Sequence, residues 1–132
     1  MPSPTAGPFR FARTCYRHPA GQVGVAITDW LLELAWVLPT GGGYRITSSG
    51  LISLMAVGVP VDRLWAGRPY PFCTDTTEKR HHFSGDLGAA LTQWLFFREW
   101  ASRPPEGGRL LLLTEAGRAA LTSMMVKLPT QG

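Results

Sequence analysis

Residues 18–31 recur, position for position, 64 residues further along the chain. His18-Pro-Ala-Gly21-Gln-Val-Gly24-Val-Ala-Ile-Thr28-Asp-Trp30-Leu31 matches His82-Phe-Ser-Gly85-Asp-Leu-Gly88-Ala-Ala-Leu-Thr92-Gln-Trp94-Leu95, and Trp36 matches Trp100 at the same offset. Past the next loop the offset is 67: Thr47-Ser-Ser-Gly50 matches Thr114-Glu-Ala-Gly117, and Leu54 matches Leu121. The three added residues fall where Arg103-Pro-Pro-Glu-Gly-Gly108 replaces Pro39-Thr-Gly-Gly-Gly43, and insertions belong in loops. One cysteine lies in each half, Cys15 and Cys73. A chain of 132 residues built this way is two related units, each of roughly 65 residues and too small to carry much core alone. The two are expected to pack as one domain.

Each half reads as helix, helix, hairpin, helix. A short helix over residues 9–17, and about 72–80 in the second copy, carries the cysteine. A longer helix follows, with Pro19 at its opening, where proline is tolerated. Val23, Ala26, Ile27, Trp30, Leu31 and Leu34 fall at helical spacing on one face, and Leu87, Ala90, Leu91, Trp94 and Leu95 repeat it. A hairpin then runs from Val37-Leu38 through a Gly-rich turn to residues 44–46, and from Trp100-Ala101 to residues 109–113. Thr47 and Thr114 are placed to cap the closing helix of each half. Between the halves, Asp62 is expected to cap one helical turn before a proline cluster forces an extended connection. The pattern predicts an α+β, mostly helical fold of two tandem winged-helix-like repeats with pseudo-twofold symmetry. Residues 1–8 would be a disordered tail, 9–58 the first repeat, 59–71 a Pro-rich linker and 72–128 the second repeat.

Composition narrows the function classes. At 45% hydrophobic and 17% charged residues, the chain is too apolar to remain disordered. Its longest apolar run, residues 30–38, is broken by Glu33 and falls well short of the ~20 residues of a membrane span. The first ten residues lack the apolar stretch of a secretory signal, so a cytoplasmic protein with reduced thiols is expected. The net charge of +4 comes mainly from dispersed arginines, and only Arg10, Arg13 and Arg17 precede the first acid, Asp29. These three are the candidate phosphate contacts. The helix that would enter a DNA groove carries no Lys or Arg and exposes Asp29 and Glu33 in the first half. Its second copy offers Gln93 and Arg98 beside Asp86, so neither is equipped to read bases. No phosphate loop, HExxH or nucleophile elbow is present. Asp75 and Glu78, near the histidines, read as a solvated face. An enzyme is not expected.

The string Arg10-Phe-Ala-Arg-Thr-Cys15-Tyr-Arg-His18-Pro-Ala-Gly21-Gln-Val-Gly24-Val-Ala is similar to the region just after the DNA-binding domain in a subgroup of ArsR-type transcriptional regulators. Tyr44-Arg-Ile-Thr-Ser-Ser-Gly50 and Leu111-Leu-Leu-Thr-Glu-Ala-Gly117-Arg-Ala-Ala-Leu121 resemble its later motifs, and residues 73–85 its second Cys…His element. The chain departs from the pattern at Arg17, commonly acidic, at Pro19, commonly leucine, and near Thr76, where an aromatic is usual. The N-terminal winged-helix reader of that family has no counterpart in these residues. The resemblance therefore implies a regulatory, effector-sensing or dimer-forming half of a repressor. Its partner would be a second copy or a DNA-binding regulator chain, with a small-molecule effector also in prospect.

Cys15-x-x-His18 and Cys73 with His81 or His82 put one thiol and at least one imidazole in each half. If the halves face one another, the four groups converge on a tetrahedral site for zinc or another thiophilic metal, or on a redox pair of thiols. The commoner reading is that each is a buried reduced cysteine, an ordinary core residue, and no cofactor is expected. Trp30, Trp36, Trp94 and Trp100 either wall an apolar ligand pocket or are duplicated core. Trp65 has no repeat partner and stands apart, as a surface group or a plug beneath the linker.

Overall fold

The computed structural model describes residues 6–129. Helix α1 (Ala6–Phe11) leads into a hairpin of β1 (Arg13–Cys15) and β2 (His18–Ala20). Helix α2 (Gly21–Glu33), a second hairpin of β3 (Val37–Thr40) and β4 (Gly43–Ile46), and α3 (Ser48–Ala56) complete the first half. A short strand β5 (Pro69–Tyr70) precedes the second half, which repeats the order. Its hairpin is β6 (Phe72–Thr74) with β7 (His81–Phe83), followed by α4 (Gly85–Phe97), the pair β8 (Ala101–Ser102) and β9 (Leu112–Leu113), and α5 (Glu115–Ser123). The described residues thus form a mixed α/β fold of five helices and four small antiparallel sheets.

The cysteine segments are strands, not the expected short helices. In the first half the reason is Pro19, which disfavours helical backbone at the residue before it. His18 and Pro19 instead lie in β2, paired with Cys15 and Thr14. In the second half, the β-branched threonines and Asp75, whose side chain bonds nearby amides, compete with helical hydrogen bonding. The long helices consequently start at Gly21 and Gly85, both at positive φ (73° and 59°), a turn glycine makes without strain. Leu34, expected on the buried face, is the exposed C-cap of α2. Of the tail expected at residues 1–8, residues 6–8 belong to α1, and residues 1–5 lie outside the described residues.

Thr47 accepts the amide of Gly50, and Thr114 that of Gly117, each at 2.9 Å. Both glycines sit where a Cβ would strike the backbone of a tryptophan, Trp36 or Trp100. Each closing helix is thereby seated on the tryptophan that lies three residues past the helix before it.

The two halves interlock reciprocally. Trp30 and Trp94 stack nearly parallel, with centroids 6.2 Å apart and a 5° interplanar angle. Trp36 meets Trp30 edge-on at 5.2 Å, and Trp100 meets Trp94 at 5.1 Å. The Trp30 indole donates to the carbonyl of Met124, at the end of α5, at 2.8 Å. The Trp94 indole donates to Val57, at the end of α3, at 3.0 Å. Each half's long helix therefore closes the other half's last helix. Around this array Ile27, Leu31, Leu54, Leu87, Leu91, Leu95 and Leu121 are fully buried, with Trp30 and Trp94 inside the core and Trp36 and Trp100 partly buried against it.

Strand pairing also crosses between halves. Tyr70 of β5 pairs with Tyr44 of β4, while the Thr14 amide donates to Arg109 and the Leu111 amide to Ala12. The expected extended linker is thus partly built into the sheet, with Leu64 and Tyr70 buried. The turn there closes from the Leu64 amide to the Val61 carbonyl. The Tyr70 hydroxyl accepts from the Trp65 amide and donates to the Arg63 carbonyl. Trp65 itself is exposed beneath the Arg68 guanidinium.

One crossing bond is present only once, and the sequence says why. Thr28 accepts the amide of Phe83 from the other half at 3.2 Å. The equivalent pair is Thr92 with Pro19, and proline has no amide hydrogen. The Thr92 hydroxyl is accordingly buried without a partner. Removing one member of a satisfied buried pair strands the other, whereas deleting an unpartnered hydroxyl does not. Thr28→Val is expected to cost about 1–3 kcal/mol and Thr92→Val to be near neutral or stabilising, as measured by urea denaturation of the two variants.

Candidate metal and thiol centre

A two-residue turn, Tyr16-Arg17, with Tyr16 at φ 59°, brings Cys15 directly opposite His18 in the first hairpin. In the second hairpin Cys73 lies directly opposite His82, across a longer turn. Side chains of opposed residues share one face of a two-stranded sheet, so each hairpin presents a thiol beside an imidazole. The halves bring those faces together. The ligand atoms of Cys15, His18, Cys73 and His82 all lie within 4.8 Å of one another. His18 Nε2 is 4.0 Å from Cys73 Sγ, and the two imidazole centroids are 5.0 Å apart.

Strand alternation separates the neighbouring histidines. Successive side chains point to opposite faces, so His81 turns away from the centre. Its Nδ1 lies 2.7 Å from the Tyr44 hydroxyl, and its ring stacks on Phe72 at 3.9 Å.

Beneath the centre sits Asp75, fully buried, and not on the solvated face expected for it. One oxygen accepts from the Gly21 amide at 2.7 Å and faces His82 Nδ1 at 3.1 Å. The other accepts from Arg13 Nη2 at 3.1 Å and from the Thr77 hydroxyl and the amides of Thr77 and Glu78 at 3.0–3.2 Å. Burial alone would raise its pKa. The amides of Gly21 and Glu78, then Arg13 and the Thr77 hydroxyl, outweigh that and hold it down at about 2. Asp75 is therefore an anion that only accepts, and His82 must present Nδ1–H to it. That leaves His82 Nε2 with a lone pair, buried and without a partner.

The other groups have shifted with burial. His18 is held neutral, at about 4, by desolvation and then by His82 and Arg17. His82 is also lowered by burial, against the pull of Asp75. Burial, then Cys73, pushes the Cys15 thiol up. Both cysteines are free and half-buried. An open hollow of about 310 Å³, lined by Tyr16, Arg17, His18, Cys73, Ser84 and Gly85, reaches the centre from solvent.

The arginines expected to touch phosphate divide. Arg13 is buried in its ion pair with Asp75, with further bonds to the Phe9 carbonyl, Thr76 and Thr77. Buried there, it is not placed to touch phosphate. Arg10 pairs with Glu78 at 3.1 Å on the surface, and Arg17 is exposed beside the hollow. In the sequence, Asp75 is masked by the neighbouring charges Glu78, Lys79 and Arg80. The available signal was Asp75-Thr-Thr-Glu78, an Asp followed by residues whose amides it caps in a turn.

The chain is similar to part of a known transcription regulator. Over 112 residues it is 33% identical to the uncharacterized HTH-type transcriptional regulator YdfF of Bacillus subtilis (strain 168). The match takes in 83% of this chain and 49% of that protein, so the chain spans about half the length of the curated relative it matches. No protein-family model matches the chain, and no solved structure does. Among the described residues, no helix is long and apolar enough to cross a membrane.

Breaking a buried ion pair from one side leaves an uncompensated charge and costs about 3–5 kcal/mol, whereas an exposed pair is worth at most about 1 kcal/mol. Arg13→Met should therefore destabilise severely and Arg10→Ala barely. Guanidinium melts of the two variants check the contrast.

Proposed function

We propose that this chain is a non-enzymatic regulatory module of a transcription regulator, resembling the C-terminal, post-DNA-binding region of ArsR-type regulators. Its two units are read as winged-helix-like repeats about an approximate twofold axis. It works by a change in packing across their seam when the ligand or thiol state of the Cys/His centre changes. The observation that carries this reading is the convergence of one Cys/His pair from each half to within 4.8 Å. A ligand there touches both halves at once, and the hairpins that hold it are joined to the long helices at Gly21 and Gly85.

The long helices support a sensing role over a reading one. Of α2 only Glu33 is fully exposed, and of α4 only Gln93 and Phe97, so neither helix presents a face to a DNA groove. Under this proposal DNA is contacted by a partner regulator chain, and the module acts by pairing with that chain or with a second copy.

Hydrogen exchange on the reduced protein and on protein whose thiols have been oxidised with diamide tests the reading. Protection is expected to change in both hairpins and also at the ends of α3 and α5, where the tryptophan indoles dock. Cys15→Ser should show no such response. A response confined to the two hairpins would overturn the proposed change in packing.

A further inference from the structure

We propose that Cys15, His18, Cys73 and His82 form a mononuclear, tetrahedral site for a divalent metal ion of the zinc class, with Asp75 as its positioning residue. The inference names the ligand of the regulatory reading above and rests on the same seam, but its geometry stands without any claim about transcription.

Three observations carry it. Bond lengths of about 2.0–2.3 Å to nitrogen and sulfur give a tetrahedron with edges of roughly 3.3–3.8 Å. The four ligand atoms already lie within 4.8 Å of one another, so side-chain adjustments of about an ångström close the site. Secondly, His82 presents a buried, unpartnered Nε2 while Asp75 holds its Nδ1. Such a carboxylate behind a histidine fixes the tautomer and aims the ring in metal sites. Two hydrogen-bonded thiols would leave that nitrogen unexplained. Thirdly, the charges balance. Two thiolates and two neutral imidazoles cancel a divalent cation, so the filled centre is neutral in a partly buried seam, where a net charge would be costly. A monovalent ion would leave one negative charge. Each thiol that is protonated gives up its proton to solvent as its metal bond forms. The sulfur–nitrogen donor set selects zinc-like ions over magnesium or calcium, and the hollow beside Cys73 supplies the route in.

The test is anaerobic titration of the reduced protein with Co²⁺, followed by displacement with Zn²⁺. Expected are one equivalent per chain, d–d bands of tetrahedral intensity, a sulfur-to-cobalt charge-transfer band, and loss of all three on adding Zn²⁺. Cys73→Ser should lose the charge-transfer intensity of one thiolate. Asp75→Asn should weaken Co²⁺ binding about 10–100-fold and release the fixed Nδ1–H tautomer of His82 in ¹⁵N NMR, while circular dichroism verifies the fold of both variants. A wild-type protein that gives no thiolate-to-cobalt band, or octahedral bands only, overturns the site. An Asp75→Asn variant with unchanged affinity and tautomer overturns the role of Asp75. If Co²⁺ binds as expected but hydrogen exchange shows no change across the seam, the regulatory reading fails and the metal site stands.

Discussion

A single buried carboxylate organises the candidate site at the seam between the halves. Asp75 receives Arg13 from the first half, the amide that opens α2, two amides and a hydroxyl of its own turn, and His82. Desolvating an anion costs several kcal/mol, and the cost is met here because both oxygens are saturated with donors. The arrangement also explains local choices that look unrelated. The Gly21 amide, at the turn that opens α2, donates to the carboxylate. Arg13 must lie on a strand, since from there it reaches Asp75 while still bonding the Phe9 carbonyl of α1. His82 inherits its tautomer from the same contact.

The reciprocal core is the second constraint. A duplicated chain can repeat its packing inside each half or exchange it between halves. This chain exchanges it. The indole of each long helix closes the partner half's last helix, the β3–β4 hairpin gains β5 as a third strand, and Arg13 bridges to Leu110 of the other half. Neither half then buries its tryptophans alone. The missing Thr92 bond shows how far the exchange extends, because one proline in one copy leaves a polar atom unpaired in the other.

Much of this was legible in the sequence, and the failures have a common origin. The repeat located the two long helices, the Gly-rich hairpins and the threonine caps at 47 and 114, because each depends on local periodicity or on a cap spacing. The offset of 64 also paired His18 with His82 and Trp30 with Trp94. What was missed lay in the cysteine segments. Cys15 and His18 at i and i+3 suit a helix face and a tight hairpin equally well, and Pro19 suits the opening of a helix but disfavours helix before it. Reading those segments as strands would have excluded His81, since neighbours on a strand face opposite ways. Burial of Asp75 and Arg13 rests on contacts between residues more than 50 positions apart, which no local pattern encodes.

Under the proposed metal site, the division of ligands between the halves bears on mechanism. Each hairpin supplies one sulfur and one nitrogen, and two ligands hold an ion far more weakly than four. An ion that needs all four binds the closed seam and not the open one, so its binding free energy is also packing free energy. The stabilisation grows as the logarithm of ligand concentration over its dissociation constant, about 2.7 kcal/mol at a hundredfold excess. That is a large share of the stability of a domain this size. A device of this kind needs no moving lid. It needs two units that are individually incomplete, a seam that passes through the ligand, and a core in which each unit's helices finish the other's, and the duplication supplies all three.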